Sequence, residues 1–383
     1  MAGSASRSVR LLAAVLFVAV PLIIAAGLGE LVVRWRERHR TTPPGTMSTL
    51  YYSHERLRPA LTHNRDYFGW VHTDSLGLRG RAVAVAKRPG TIRILADGGS
   101  TTFDATVTAD DSTWPAQLER RLVALRGPGS VEVLNSGVPG YAVIDNLIRL
   151  QTELGRLEPD VILLLQGHND LYYALVGSPL GDPDTPDARG TQDPWTSWLA
   201  RHSLLYGKLE GARRSLEARW RTSTYLSPGR DPARADSAVA AGAARFHRDL
   251  TSYVLIAKQG GARVVLIEPV QVSGALTAPR DSVERKVWEN AFAGVPADVI
   301  FRGYAAYVRA MRDVAAEQGV MFVSTRDWGI EGQALHATSD LSELYDTGDP
   351  IHLTDAGARR LADHLEVALD SLALVTTPQP PAP

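Results

Sequence analysis

The sequence predicts an α/β fold in which a parallel sheet carries helices on both faces. Three observations predict it. Five short apolar, β-branched runs each fit a strand buried on both faces. Segments with apolar residues at three- and four-residue spacing lie between the runs, which is the pattern of amphipathic helices. The order strand, helix, strand, helix is that of a parallel sheet.

The runs are TIRILA (91–96), VEVLN (131–135), VILLLQ (161–166), ARVVLIE (262–268) and VMFVS (320–324). The helical patterns are WPAQLERRLVAL from Trp114, VIDNLIRLQTELGRL from Val143, FHRDLTSYVLIAKQ from Phe246 and YAAYVRAMRDVAAEQ from Tyr304. Residues 91–370 thus form the main domain. Residues 171–245 interrupt its rhythm, first with Gly, Pro and Asp and then with WTSWLARHSLLYGKLEGARRSLEARWR, a basic helical segment. We read 171–245 as a helical insertion bordering the site. Its Trp195, Trp198, Tyr206 and Trp220 either line a groove, touch a membrane surface or pack onto the core.

The start of the chain has a different character. Leu11 to Gly29 is an uncharged apolar run, long enough to span a bilayer as a helix, with Arg7 and Arg10 before it. It exceeds the apolar core of a usual signal peptide, so residues 1–40 read as an uncleaved anchor with a basic flank; a signal cut near Ala25 and Gly27 is the alternative. Arg34, Arg36, Arg38 and Arg40 come after the run. Charge bias alone would keep the C-terminal side of the helix in the cytoplasm, but long domains translocate largely regardless of it. The expected location is a single N-terminal membrane helix with the main domain outside the cytoplasm. Residues 41–90 form a linker (TTPPGTMS) and a lead-in with a hairpin-like stretch, YFGWVHTDSLGLRG (67–80). Residues 371–383 form a disordered tail.

Totals exclude several functions. A formal net charge of -1 lacks the Lys/Arg excess of a nucleic-acid-binding surface. With no cysteine, disulfides, thiolate metal sites and cysteine nucleophiles are ruled out.

The chemistry concentrates in loops. ILADGGSTTFD (94–104) places Ser100 just after the first run, as a nucleophile on a turn or as a hydroxyl in a phosphate-holding loop. In a parallel sheet, ligands bind beyond the carboxyl ends of the strands. Gly140 in NSGVPGY and Asn169 in QGHND also come after strands, so three polar loops share one rim. A serine nucleophile needs a base within hydrogen-bond reach, and the base needs an acid to fix its tautomer. GDPIHLTDAGARRLADHL (348–365) offers Asp349 and His352 three residues apart in a turn before a helix.

With four blocks in this order, the chain resembles the SGNH (GDSL-type) hydrolases, through DGGSTT, NSGVPG, GHND and DPIH. The anchor and TDSLGLRG are similar to membrane-tethered bacterial members. The resemblance implies a three-layer α/β/α, flavodoxin-like fold with a five-stranded parallel sheet. It makes Ser100 the nucleophile, His352 the base and Asp349 its orienting partner, with an oxyanion hole of the Ser100 and Gly140 N–H groups and the Asn169 amide. It implies a serine esterase that needs no metal or cofactor and takes an O-acylated, foremost O-acetylated, glycan or lipid. An O-acyltransferase modifying a surface polysaccharide would use the same residues. Two departures stand out. Gly99 replaces the Asp of the family's best-known motif, and Asp104 comes after the serine where a small residue is commoner, either at the entrance or at a helix N-terminus. Two readings of other classes remain: GGSTT as a phosphate- or nucleotide-binding nest, and Asp346, Asp349, His352 and Asp355 as a metal site.

Overall fold

The computed structural model describes residues 7–38, 51–52, 60–61, 63–67, 71–177, 199, 203–206, 208–209, 212–213, 228–269, 282–325 and 349–371. The linker TTPPGTMS, Trp195, Trp198, Trp220, Asp346 and all but the first residue of the tail lie outside these.

All five runs are strands of one parallel sheet: β1 (Ile92–Gly98), β2 (Val131–Asn135), β3 (Val161–Leu165), β4 (Arg263–Ile267) and β5 (Met321–Val323). Their spatial order is β2-β1-β3-β4-β5. Register pairs Ile94 with Val133 and Val161, and Val161 in turn with Arg263. The order reverses direction on either side of β1, and in open sheets of this kind ligands bind at such a switch point, beyond the carboxyl ends of the strands.

Among the described residues the helical elements include α1 (Arg7–Arg38), α2 (Ser100–Phe103), α3 (Trp114–Arg126), α4 (Val143–Arg149), α5 (His168–Val176), α6 (Ala235–Gln259), α7 (Ser282–Ala291), α8 (Ala297–Gln318) and α9 (Asp355–Ser371). Side chains alternate across a strand, and the core divides accordingly. Ile94, Ala96, Leu163 and Val265 face α3 and α9, contacting Trp114, Leu118, Leu361 and Leu365. Leu95, Ile162, Leu164 and Leu266 face the opposite layer, with Leu171, Phe246, Tyr253 and Tyr304. Burying both faces is why these strands read as predominantly apolar runs, unbroken in β3. The result is the three-layer α/β/α arrangement with a five-stranded parallel sheet.

Local sequence explains the ends of α3. Thr113 accepts from Ala116 N at its start, Pro115 occupies the first turn and Gly127 comes directly after its last residue. The pattern from Val143 is less regular than expected. After Arg149 the backbone widens into a π turn at Leu150–Leu154 and tightens into a 3-10 turn at Gly155–Leu157. Arg65–Tyr67 pairs antiparallel with Val71–Thr73, so the pairing begins ahead of the hairpin-like stretch read at 67–80. Arg79 bridges Thr73 and Asn135, which fastens it to the edge of β2. The apolar N-terminal run lies within α1, whose window Leu16–Arg36 has mean hydropathy 2.4 and is long and apolar enough to cross a membrane.

Candidate active site

Ser100 stands at the first position of α2, directly beyond β1, because two glycines make a tight turn there. Gly98 has φ +154, and a Cβ on it would lie 2.3 Å from both Leu165 O and Thr102 Oγ1. A Cβ on Gly99 would lie 2.7 Å from Asn169 Nδ2 and 3.3 Å from Tyr141 O. The space a larger residue would take at position 99 is therefore filled by the neighbouring loops. Gly99 O accepts from Thr102 N (3.2 Å) and Phe103 N (3.0 Å), fixing the turn that presents Ser100.

The turn before α9 reaches the same point. His352 Nε2 lies 2.7 Å from Ser100 Oγ, and His352 Nδ1 lies 2.6 Å from Asp349 Oδ2. Asp349 Oδ1 accepts from Ile351 N (2.9 Å) and His352 N (3.1 Å), so one carboxylate shapes the turn and orients the ring. Burial by itself would raise the Asp349 carboxyl. The hydrogen bond and charge of His352, with the two backbone donors, outweigh burial and hold it down at about 2.

The loop holding His352 is pinned to the loop behind Ser100. Thr106 Oγ1 donates to Leu353 O (2.6 Å), while Thr108 donates to Asp355 from its backbone N (2.9 Å) and its hydroxyl (2.5 Å). Sequence reasoning missed both threonines, which look like ordinary loop residues.

Gly140 lies in the loop after β2 with φ +85, and its carbonyl accepts from the Tyr173 hydroxyl at 2.7 Å. Asn169, in the first turn of α5, donates through Nδ2 to Tyr141 O at 2.8 Å. An amide nitrogen carries two hydrogens, so one remains for another acceptor. Ser100, His352 and Asp349 form a hydrogen-bonded chain. The Asn169 amide lies against Gly99 and Tyr141, the neighbours of Ser100 and Gly140.

Beneath the nucleophile turn is a buried polar network that sequence reasoning also missed. Asp97 Oδ1 accepts from Ser136 Oγ (2.9 Å) and Asn146 Nδ2 (2.9 Å), and Oδ2 accepts from the Tyr253 hydroxyl (2.7 Å). Burial pushes the Asp97 carboxyl up, against the lowering effect of these bonds and of the Arg149 charge. An acid near the end of a mostly apolar strand was the available signal. Beside Asn169, His168 Nδ1 is hydrogen-bonded to the Tyr304 hydroxyl, and the rings meet edge to face at 5.2 Å.

Asp104 corrects the entrance expectation and meets the helix N-terminus expectation at a helix other than its own. It is 1% exposed, so it lies at no entrance, and it ends α2 in the left-handed conformation (φ 61) instead of starting it. Its Oδ2 accepts from Trp114 N (2.5 Å), so the helix it caps is α3. Burial raises its carboxyl to about 8, although that bond and the Arg79 charge lower it. The metal reading finds little in the donor set. Both Asp349 oxygens are taken by N–H groups, Asp355 is spent on Thr108, and no metal-holding cluster occurs among the described residues.

The fold is that of the α/β/α hydrolases of ester bonds. The chain belongs to the GDSL-like lipase/acylhydrolase family, which matches residues 96–360, and is an ester-hydrolysing enzyme. No curated protein matches it by sequence. Among solved structures it is similar to a variant of an acetyl xylan esterase from Geobacillus stearothermophilus, with 16% identity, 77% of this chain and 100% of that chain covered, and TM-score 0.44. It is also similar to an alpha/beta hydrolase from the metagenome of Lake Arreo, Spain, with 15% identity, 75% and 97% covered, and TM-score 0.43.

Proposed function

We propose that the chain is a membrane-anchored serine esterase that removes acyl groups, acetyl foremost, from an O-acylated glycan or lipid outside the cytoplasm. The observation that carries the mechanism is the unbroken chain Asp349–His352–Ser100, with links of 2.6 and 2.7 Å. Asp349 holds the imidazole proton on Nδ1, which leaves Nε2 as acceptor for the serine proton. Ser100 Oγ attacks the ester carbonyl carbon as its proton passes to His352 Nε2. The Ser100 N–H, the Gly140 N–H and the second Asn169 amide hydrogen receive the carbonyl oxygen as it becomes an oxyanion. His352 returns the proton to the departing alcohol, and the acyl group stays on Ser100. Water then gives a proton to His352 and its oxygen to the acyl carbon, releasing acid and regenerating the serine.

The substrate class is inferred from place. An apolar helix of this length supports tethering at a membrane, where acylated glycans and lipids are at hand. The expected boundaries, an anchor in 1–40 and a catalytic domain in 91–370, belong to the same proposal. The test is turnover of p-nitrophenyl acetate by the full chain and by Ser100→Ala. Hydrolysis in the first and none in the folded variant is expected. Equal rates would refute the assignment. Acyl transfer to added sugar in preference to water would replace esterase with acyltransferase at the same residues.

A further inference from the structure

We infer that the apolar helix α1 is more than a tether, and that its C-terminal end is a docking site for the chain's own segment Ser203–Tyr206. The inference rests on the membrane reading only for where the dock lies, because the contact itself is within the chain.

Glu30 is the first charged residue after the apolar run, and its carboxylate faces the insertion. Its Oε2 accepts from Ser203 Oγ (2.8 Å) and Leu205 N (2.9 Å). Its Oε1 accepts from Leu204 N (3.0 Å) and from Arg34 Nε one helical turn on (2.7 Å). Ser203 Oγ also accepts from Tyr206 N (3.0 Å), which closes the short helical turn that Glu30 caps. One side chain thus satisfies the hydroxyl and both leading N–H groups of that turn. Beside it, Gly29 lets Leu205 come close: a Cβ at Gly29 would be 2.9 Å from Leu205 Cδ2 and 4.0 Å from Cγ. Leu28, Leu31 and Trp35 are exposed at this end of α1, beside the exposed Arg34 and Arg36.

A carboxylate at the edge of a hydrocarbon layer is costly unless it is paired. The insertion supplies the pairing. The insertion read from 171 begins within α5, whose first turn holds Asn169, and its chain meets α5 again at Pro228–Arg230, where Gly229 abuts Leu175 and Val295. Docking of its middle onto α1 therefore attaches the catalytic domain to the anchor at a second point, in addition to the covalent linker. An enzyme held this way is suited to acyl esters presented at the membrane surface.

The chain has no cysteine, so introduced pairs report without background. We would oxidise membranes carrying the full chain with Gly29→Cys and Leu205→Cys, and compare Gly27→Cys with Leu205→Cys, since position 27 faces open space. The expected result is an intramolecular disulfide in the first pair only, lost when Glu30→Ala is added, with p-nitrophenyl acetate turnover unchanged in every variant. Absence of the disulfide in an active protein, or equal disulfide in both pairs, would overturn the dock. Carbonate extraction distinguishes the two claims: a cross-linked chain released from the membrane would keep the dock and remove the anchor.

Discussion

Replacing Asp349 with Asn tests the site at its most informative atom. The carboxylate makes two kinds of contact: Oδ1 receives the N–H groups of Ile351 and His352, and Oδ2 receives His352 Nδ1 at 2.6 Å. An asparagine has one acceptor oxygen. If that oxygen keeps the turn, the amide NH2 faces Nδ1, which must then accept, and the ring proton moves to Nε2. That nitrogen is 2.7 Å from Ser100 Oγ and would donate to it, so it could no longer take the serine proton. The loss expected from a wrong tautomer is about 10³–10⁴ in kcat, or roughly 4–5.5 kcal/mol of barrier. Stability should fall less than in Asp349→Ala, since both backbone donors keep a partner while the charge pairing with His352 is lost. Asp349→Ala strips them as well and should cost about 1–2 kcal/mol of folding free energy. The assay is steady-state hydrolysis of p-nitrophenyl acetate beside a thermal melt. An asparagine variant within tenfold of wild type would refute the role given to Asp349.

Other residues give further expected outcomes. Gly99→Ala puts a methyl group against the Asn169 amide, 2.7 Å away, and should lower kcat by about 10²–10³ with KM little changed, as loss of one oxyanion donor does. Asp355→Ala frees the histidine loop from Thr108 and should lower kcat by roughly tenfold or more through misplacement of His352, a loss that a melt would separate from unfolding. Asp104, at about 8 when folded and about 3.9 when unfolded, favours the folded state fully only below pH of about 3.9 and loses that contribution as pH rises to about 8. Asp104→Asn cannot ionise and keeps the acceptor and the left-handed backbone, so its folding free energy should gain on wild type across that window, by at most about 1.4 kcal/mol per pH unit. Parallel stability curves would contradict this. A saturating chelator should leave turnover unchanged, because both Asp349 oxygens are already paired with N–H donors.

What could be read from the sequence tracks how local each signal is. The five strands were legible because burial on both faces leaves a run such as VILLL with no polar residue. Asp349 and His352 were legible as a pair because three residues in a turn put them in reach. The contact between His352 and Ser100 spans 252 positions, and spacing alone left Ser100 open; only the resemblance joined them. Helix α6 starts at Ala235, well before the pattern at Phe246, since its alanine-rich first turns carry little apolar contrast. Asp104 was legible as a carboxylate at a helix start, but burial and the left-handed backbone aim it at α3 and not at α2. Glu30 follows directly on the apolar run, and nothing near it in sequence announces Ser203.

The central claim is that Ser100 is an activated nucleophile. The most direct measurement is intact and peptide mass of the full chain after exposure to a fluorophosphonate. An activated Ser100 predicts a single adduct on the peptide containing it, absent in Ser100→Ala and much slower to form in His352→Asn. A folded wild-type chain that acquires no adduct, or acquires it at another residue, would contradict the claim.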